Sequence, residues 1–227
     1  MKLGITTQTF LHAMKVDHVN ECDVVAFAAE QGFDWVEIRN KNCHLSELLL
    51  EQIKACAEKL GILIHYAWDH GSLFDDDYLE IYRAHIQQAA IFGPQIICRT
   101  VIDTQRINGR DTPLDYTEEE LDLLQERLRK VNEFAEQAGV VLAFENSFES
   151  LTGFGNLLEN NSQMRMTLDT ANFLNQGQQK QLPDPDSVLL LCKQKQGQIP
   201  YVHIKSTKEG VLKDTIIANG DFNWRVF

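Results

Sequence analysis

Basic residues are scarce in this sequence: 21 lysines and arginines stand against 33 aspartates and glutamates in 227 residues, a formal charge of −12. So acidic a chain raises the cost of approaching a phosphate backbone and offers no basic stripe, which argues against nucleic acid as a partner. Also missing is any apolar run near the ~20 residues that a bilayer-spanning helix needs. The start, Met1-Lys2-Leu3-Gly4-Ile5-Thr6, lacks the apolar stretch of a secretory leader. The expectation is a soluble, cytoplasmic protein with no membrane partner. Cys22, Cys43, Cys56, Cys98 and Cys192 show no C-x-x-C or other short pairing. Without an export signal they read as reduced thiols, most of them small core residues, and neither as a disulfide frame nor as a thiolate zinc site. No glycine-rich turn follows the first apolar run, which passes into Thr6-Thr7-Gln8-Thr9-Phe10, so a nucleotide-binding doubly wound sheet is disfavoured.

What is present is regular. Hydrophobic residues make up 44% and charged residues 24% of the chain, close to globular averages, which excludes disordered and fibrous classes. Strand-like runs lie at Leu3 to Phe10, Trp35 to Arg39, Ile62 to Trp68, Ile96 to Val101, Val140 to Glu145, Met164 to Asp169 and Tyr201 to Lys205. Between them, apolar spacings of three and four predict helices near residues 23–31, 46–60, 78–92, 117–138, 155–161 and 186–196. Thr117 followed by Glu118, Glu119 and Glu120 reads as a cap with acids in the first turn. Gly32, Gly61, Gly93 and Gly139 fall where a helix should stop in a left-handed residue before a strand. This alternation is that of an α/β chain with a parallel sheet buried by helices. Seven strand-helix units point to an eightfold TIM (β/α)8-type barrel more than to a doubly wound sheet. A single domain over 1–227 is expected, with the polar stretch 176–181 in a strand-to-helix loop.

A barrel carries its chemistry at the C-terminal ends of its strands. That rule selects Glu37 and Arg39 on the second strand, His65 on the third, Glu145 and Asn146 on the fifth, Asp169 on the sixth, and His203 and Lys205 on the seventh. Glu145 ends the wholly apolar Val140-Val141-Leu142-Ala143-Phe144, where a carboxylate is costly to bury unless something pairs with it. An ion pair would satisfy it. Asp169 poses the same problem, with an N-cap as the alternative, and His203 between Val202 and Ile204 could be a core histidine. Taken together, Glu, Asp and His from three successive strands suit a divalent ion: Mn²⁺, Mg²⁺, Co²⁺ or Zn²⁺.

At these residues the sequence resembles the sugar phosphate isomerase/epimerase family, the xylose isomerase-like TIM barrels. The segments that carry the resemblance are Gly4-Ile5, Trp35-Val36-Glu37-Ile38-Arg39, Leu142-Ala143-Phe144-Glu145-Asn146, Thr167-Leu168-Asp169-Thr170-Ala171-Asn172, Tyr201-Val202-His203-Ile204-Lys205 and Gly220-Asp221-Phe222-Asn223-Trp224, in order over the whole chain. The resemblance implies a divalent ion held by Glu145, Asp169, His203 and a glutamate at the end of an eighth strand. It implies a sugar, sugar phosphate or keto-acid substrate whose carbonyl the ion polarises while a glutamate removes the neighbouring proton. Glu145 would be both ligand and base. Glu37, Arg39, His65, Asn172 and Lys205 would contact substrate hydroxyls or phosphate.

The sequence departs from the family pattern in three places. Asn172 stands where many members have histidine, Ser206 stands where many have an acid, and the chain stops at Phe227, before the seventh helix and the eighth strand with its glutamate. The barrel is therefore expected to be incomplete at its C-terminus. A second reading follows, a shortened, catalytically inactive derivative whose open strand edges favour pairing into a homo-oligomer. The DNA-repair endonuclease branch of the fold, with its three-metal cluster and basic face, fits the acidic charge poorly, and a two-metal hydride-shift isomerase needs more carboxylates than can be assigned.

Overall fold

The computed structural model of the protein describes residues 2–40, 45–103, 116–147, 149–174, 182–205, 207–209, 211–212 and 221. Cys43, the stretch 176–181, Ser206, and positions 220 and 222–224 of the last matched motif lie outside them. Seven strands lie in one sheet in chain order: β1 (Gly4–Thr6), β2 (Trp35–Arg39), β3 (Leu63–Ala67), β4 (Ile96–Thr100), β5 (Val140–Glu145), β6 (Arg165–Asp169) and β7 (Tyr201–His203). Helices α1 (Leu11–Val16), α2 (Glu21–Glu30), α3 (Glu47–Leu60), α4 (Tyr78–Ala90), α5 (Glu118–Gln137), α6 (Leu151–Asn160), α7 (Thr170–Leu174) and α8 (Pro185–Gln194) stand between the strands. A short antiparallel hairpin, β8 (Thr207–Lys208) and β9 (Val211–Leu212), follows β7. Among the described residues no helix is long and apolar enough to cross a membrane.

The chain divides into two compact units. The first comprises residues 1–70, 79–100 and 133–142, and the second 71–78, 101–132 and 143–227. In the first, β1, β2, β3 and β4 pair in parallel, with Ile5 opposite Val36, Glu37 opposite His65 and Ala67 opposite Arg99. Val36 and Ile38 point to one face and are fully buried, as are Val24, Val25 and Ala28 of α2 and Leu50 and Ile53 of α3. A Cβ on Gly4 would lie 2.0 Å from the Trp35 ring, so only glycine lets the first two strands close there. In the second unit, Ala143 lies opposite Arg165, Glu145 opposite Thr167, and Asp169 opposite His203, again in parallel. Its core is Phe144, Met166 and Leu168 of the strands with Phe154, Leu157 and Phe173 of the helices.

Local chemistry explains the ends of the elements. Thr117 and Glu120 cap α5 reciprocally, through Glu120 N–H to Thr117 Oγ1 at 3.2 Å and Thr117 N–H to Glu120 Oε2 at 3.0 Å. Gly61 ends α3 at φ 70°, in the left-handed region, and Gly32, Gly93 and Gly139 also take positive φ. Other boundaries differ from expectation. The first strand stops at Thr6, four residues early, because Thr6 Oγ1 accepts the Gln8 N–H at 3.2 Å and starts a 3-10 turn that runs on into α1. The seventh strand ends at His203, which puts Lys205 beyond it. Helix α6 starts at Leu151 on a Ser150 cap, earlier than the apolar spacing shows, because Gly153 and Gly155 dilute the helical signal. Cys22, Cys56, Cys98 and Cys192 are free thiols. Burial pushes Cys192 up to about 12 and, with Cys56 alongside, Cys22 up to about 11.

Candidate metal centre

In the second unit, strict alternation puts Glu145, Thr167, Asp169, Tyr201 and His203 on one face of β5, β6 and β7. Glu145, Thr167 and Tyr201 form one row, and Asp169 and His203 form the next. Glu145 starts a row lower than the other two but has one more methylene than Asp169, and its Oε1 meets His203 Nδ1 at 3.0 Å. Asp169 Oδ2 lies 4.0 Å from the same nitrogen. One ligand atom from each of the three residues falls within 4.8 Å of the other two. Glu145 is 2% and Asp169 0% exposed, and the His203 side chain 11%.

The surrounding residues hold this cluster in place. Asn146 binds the main chain of Asp169 at both ends: its Nδ2 donates to the Asp169 carbonyl at 2.8 Å, and its Oδ1 accepts the Asp169 N–H at 2.8 Å. Asn172 Nδ2 donates to the Asn146 carbonyl at 2.8 Å and reaches Glu145 Oε1 at 3.4 Å. Asp169 Oδ1 accepts the N–H groups of Ala171 at 3.0 Å and Asn172 at 3.3 Å, so this aspartate caps α7 while its other oxygen faces the cluster. The expected alternative of an N-cap is thus realised together with the ligand-like placement, each role taking one oxygen. Tyr201 Oη is 3.2 Å from His203 Nε2, the edge of the ring away from the carboxylates. As it stands, only a proton on Nδ1 makes a hydrogen bond with Glu145 Oε1; with a cation bound, a proton on Nε2 donated to the Tyr201 hydroxyl would free the Nδ1 lone pair for it. The Lys205 ammonium contacts Asp169 Oδ2 from the solvent side. The donor set fits a divalent cation: two buried carboxylates and an imidazole converge.

The other expected residues lie in the first unit, in a different kind of cluster. Glu37 is fully buried and its Oε1 accepts from Thr6 Oγ1 at 2.9 Å and from Arg39 Nε at 3.0 Å. Arg39 also reaches Gln8 Oε1 at 3.2 Å and Asp69 Oδ2 at 3.4 Å, and Arg99 pairs with Asp69 Oδ1. Two acids and two guanidinium groups alternate along this chain of contacts. His65 stacks on Trp35 with ring centroids 4.4 Å apart. A second histidine of this unit, His85, is buried against Trp68 at 4.6 Å, with its Nδ1 3.2 Å from Tyr66 Oη. Burial, aided by the nearby His70, lowers its pKa to about 4.

The structure therefore brings Glu145, Asp169, His203, Asn172 and Lys205 together, and separately joins Glu37 to Arg39. The strand-end rule passed over Arg99 because it sits inside the run Ile96 to Val101, and over Asp69 because it follows the predicted end at Trp68. It also noted Asn146 without a role. Tyr201 carries no signal in the sequence beyond its alternation with His203.

Residues 25–227 match the family model described as xylose isomerase-like TIM barrel. Among solved structures, L-ribulose 3-epimerase is similar at 18% identity, covering 91% of this chain and 70% of that one, with a TM-score of 0.65. D-psicose 3-epimerase from Clostridium cellulolyticum H10, solved with D-tagatose, is similar at 16% identity, covering 89% and 72%, with a TM-score of 0.63. A xylose isomerase-like TIM barrel protein from Mycobacterium smegmatis, solved in complex with magnesium, is similar at 15% identity, covering 91% and 75%, with a TM-score of 0.62. No curated protein matches the chain. The chain belongs to the xylose isomerase-like TIM barrel family.

Proposed function

We propose that this member of the xylose isomerase-like TIM barrel family is a divalent-metal-dependent isomerase or epimerase of a sugar, sugar phosphate or related keto compound. The observation that carries the reading is the convergence of Glu145, Asp169 and His203 within 4.8 Å at successive strand ends, and the fold shared with ketose 3-epimerases supports it. Glu145, Asp169 and His203 would hold the cation, which would supply Lewis-acid polarisation of a carbonyl and its neighbouring hydroxyl.

The chain's own residues do the rest. Glu145 receives the proton from the carbon beside the carbonyl on the carboxylate oxygen nearer the substrate. Returning that proton to the neighbouring carbon is an isomerisation, whereas inversion at one carbon needs a second acid on the opposite face. Asn172 and Lys205 at the rim of the cluster are the groups proposed to bind substrate oxygens. The test is to load the purified protein with Mn²⁺ and incubate it with a ketose panel in D₂O. Deuterium at the carbon next to the carbonyl is expected, and its absence from every ketose with Mn²⁺ bound overturns the reading.

A further inference from the structure

We propose that Lys205 is a displaceable internal cation, which holds Asp169 Oδ2 in the metal-free protein and competes with the divalent ion for it. The proposal rests on the metal-site reading above and adds a role for a residue outside the ligand set. Asp169 has no exposed surface, and its two oxygens are already divided. Oδ1 accepts two backbone N–H groups at 3.0 and 3.3 Å, which leaves only Oδ2 for a cation. That oxygen faces His203 Nδ1 at 4.0 Å and is the one the Lys205 ammonium touches.

A buried carboxylate beside a second one is costly without a counter-charge, and the ammonium supplies it when no metal is bound. Lys205 lies past the end of β7 and its side chain is 43% exposed. Swinging into water therefore sacrifices little packing, and a half-exposed ion pair is weak. A divalent ion gains two carboxylates and an imidazole at once, so it displaces the lysine, but its apparent affinity is reduced by the strength of the pair it breaks. The displaced ammonium is then at the rim, where a substrate oxygen can use it.

The experiment is an Mn²⁺ titration of the full chain, by calorimetry and by the electron paramagnetic resonance signal of free Mn²⁺, with Lys205→Met, Lys205→Gln and Asp169→Asn beside the wild type. Thermal melts of each are taken with and without Mn²⁺. Both lysine variants are expected to bind Mn²⁺ about fivefold more tightly, to melt lower without metal, and to gain more from Mn²⁺ than the wild type gains. Unchanged or weaker Mn²⁺ affinity in both, while Asp169→Asn loses binding, overturns the role of Lys205 and leaves the metal site standing. Equal falls in the melting temperature with and without Mn²⁺ overturn it as well, since a merely structural lysine behaves that way. A wild type that binds no Mn²⁺ overturns the metal site and the lysine role together.

Discussion

Two clusters of charged residues lie at strand ends in this protein, and they differ in the partners their carboxylates meet. In the first unit Glu37, Arg39, Asp69 and Arg99 alternate acid and guanidinium, each carboxylate meeting an arginine. In the second, Glu145 and Asp169 converge on one imidazole, and the half-exposed Lys205 ammonium meets Asp169. The first arrangement ties β2 to β4 through Asp69, which follows β3. The second brings two buried carboxylates and an imidazole together, the kind of donor set a divalent cation takes. Burial of a carboxylate therefore does not by itself distinguish a brace from a site, because Glu37 and Asp169 are both fully buried. The partners do.

The sharpest way to break this comparison is to neutralise one acid in each cluster. Glu145→Gln is expected to abolish Mn²⁺ binding and to slow deuterium exchange into ketose by ~10³-fold or more, measured by NMR, while the protein still melts cooperatively. Retention of wild-type Mn²⁺ affinity in that variant would place the ion elsewhere and leave the second cluster as another brace. Arg39→Met should act the other way. It leaves Glu37 buried without its guanidinium and is expected to cost roughly 3 kcal/mol in urea unfolding, with or without Mn²⁺. A loss below about 1 kcal/mol would show that the first cluster is open and adaptable, as a substrate site would be.

The two histidines offer a third contrast. His203 faces carboxylates, whereas His85 stacks on Trp68 in the core and its pKa falls to about 4. The unfolded chain binds that proton below about pH 6.5, and the folded protein only below about 4. Stability present above pH 6.5 is therefore lost as the pH falls toward 4, by on the order of 2–3 kcal/mol for this one group. Urea midpoints across that window should show the slope, and His85→Phe should flatten it. The smallest effect expected is that of Asn146→Ala, which removes both hydrogen bonds to the Asp169 main chain. It should cost about 1–2 kcal/mol of stability and weaken Mn²⁺ binding about tenfold. Unaltered Mn²⁺ affinity would mean that the sheet alone positions Asp169.

The element order was legible because each rule involved is local. Gly61 stops α3 through its own backbone freedom, Thr117 and Glu120 cap α5 within one turn, and the apolar run Val140 to Phe144 needs no knowledge of its neighbours to read as a buried strand. Where a side chain redirected the backbone, the reading slipped: Thr6 ends β1 by capping the next turn, and Asp169 starts a helix too short for any periodicity to reveal. The site was legible in part for the same reason. A carboxylate at the end of an apolar run is visible in one dimension, and Glu145, Asp169 and His203 could each be named.

By itself, the amino-acid sequence determined the alternation of strands and helices, the acids and imidazole available at strand ends, and the family to which they belong. Only the tertiary structure decided which of those groups meet. The row offset that lets the longer Glu145 reach His203, the division of Asp169's two oxygens, and the pairing of Glu37 with Arg39 depend on register between strands remote in the chain. Register also decides which partner each buried carboxylate meets, and because burying an ion without one is costly, that choice separates the arginine-paired cluster from the one whose donors could hold a cation.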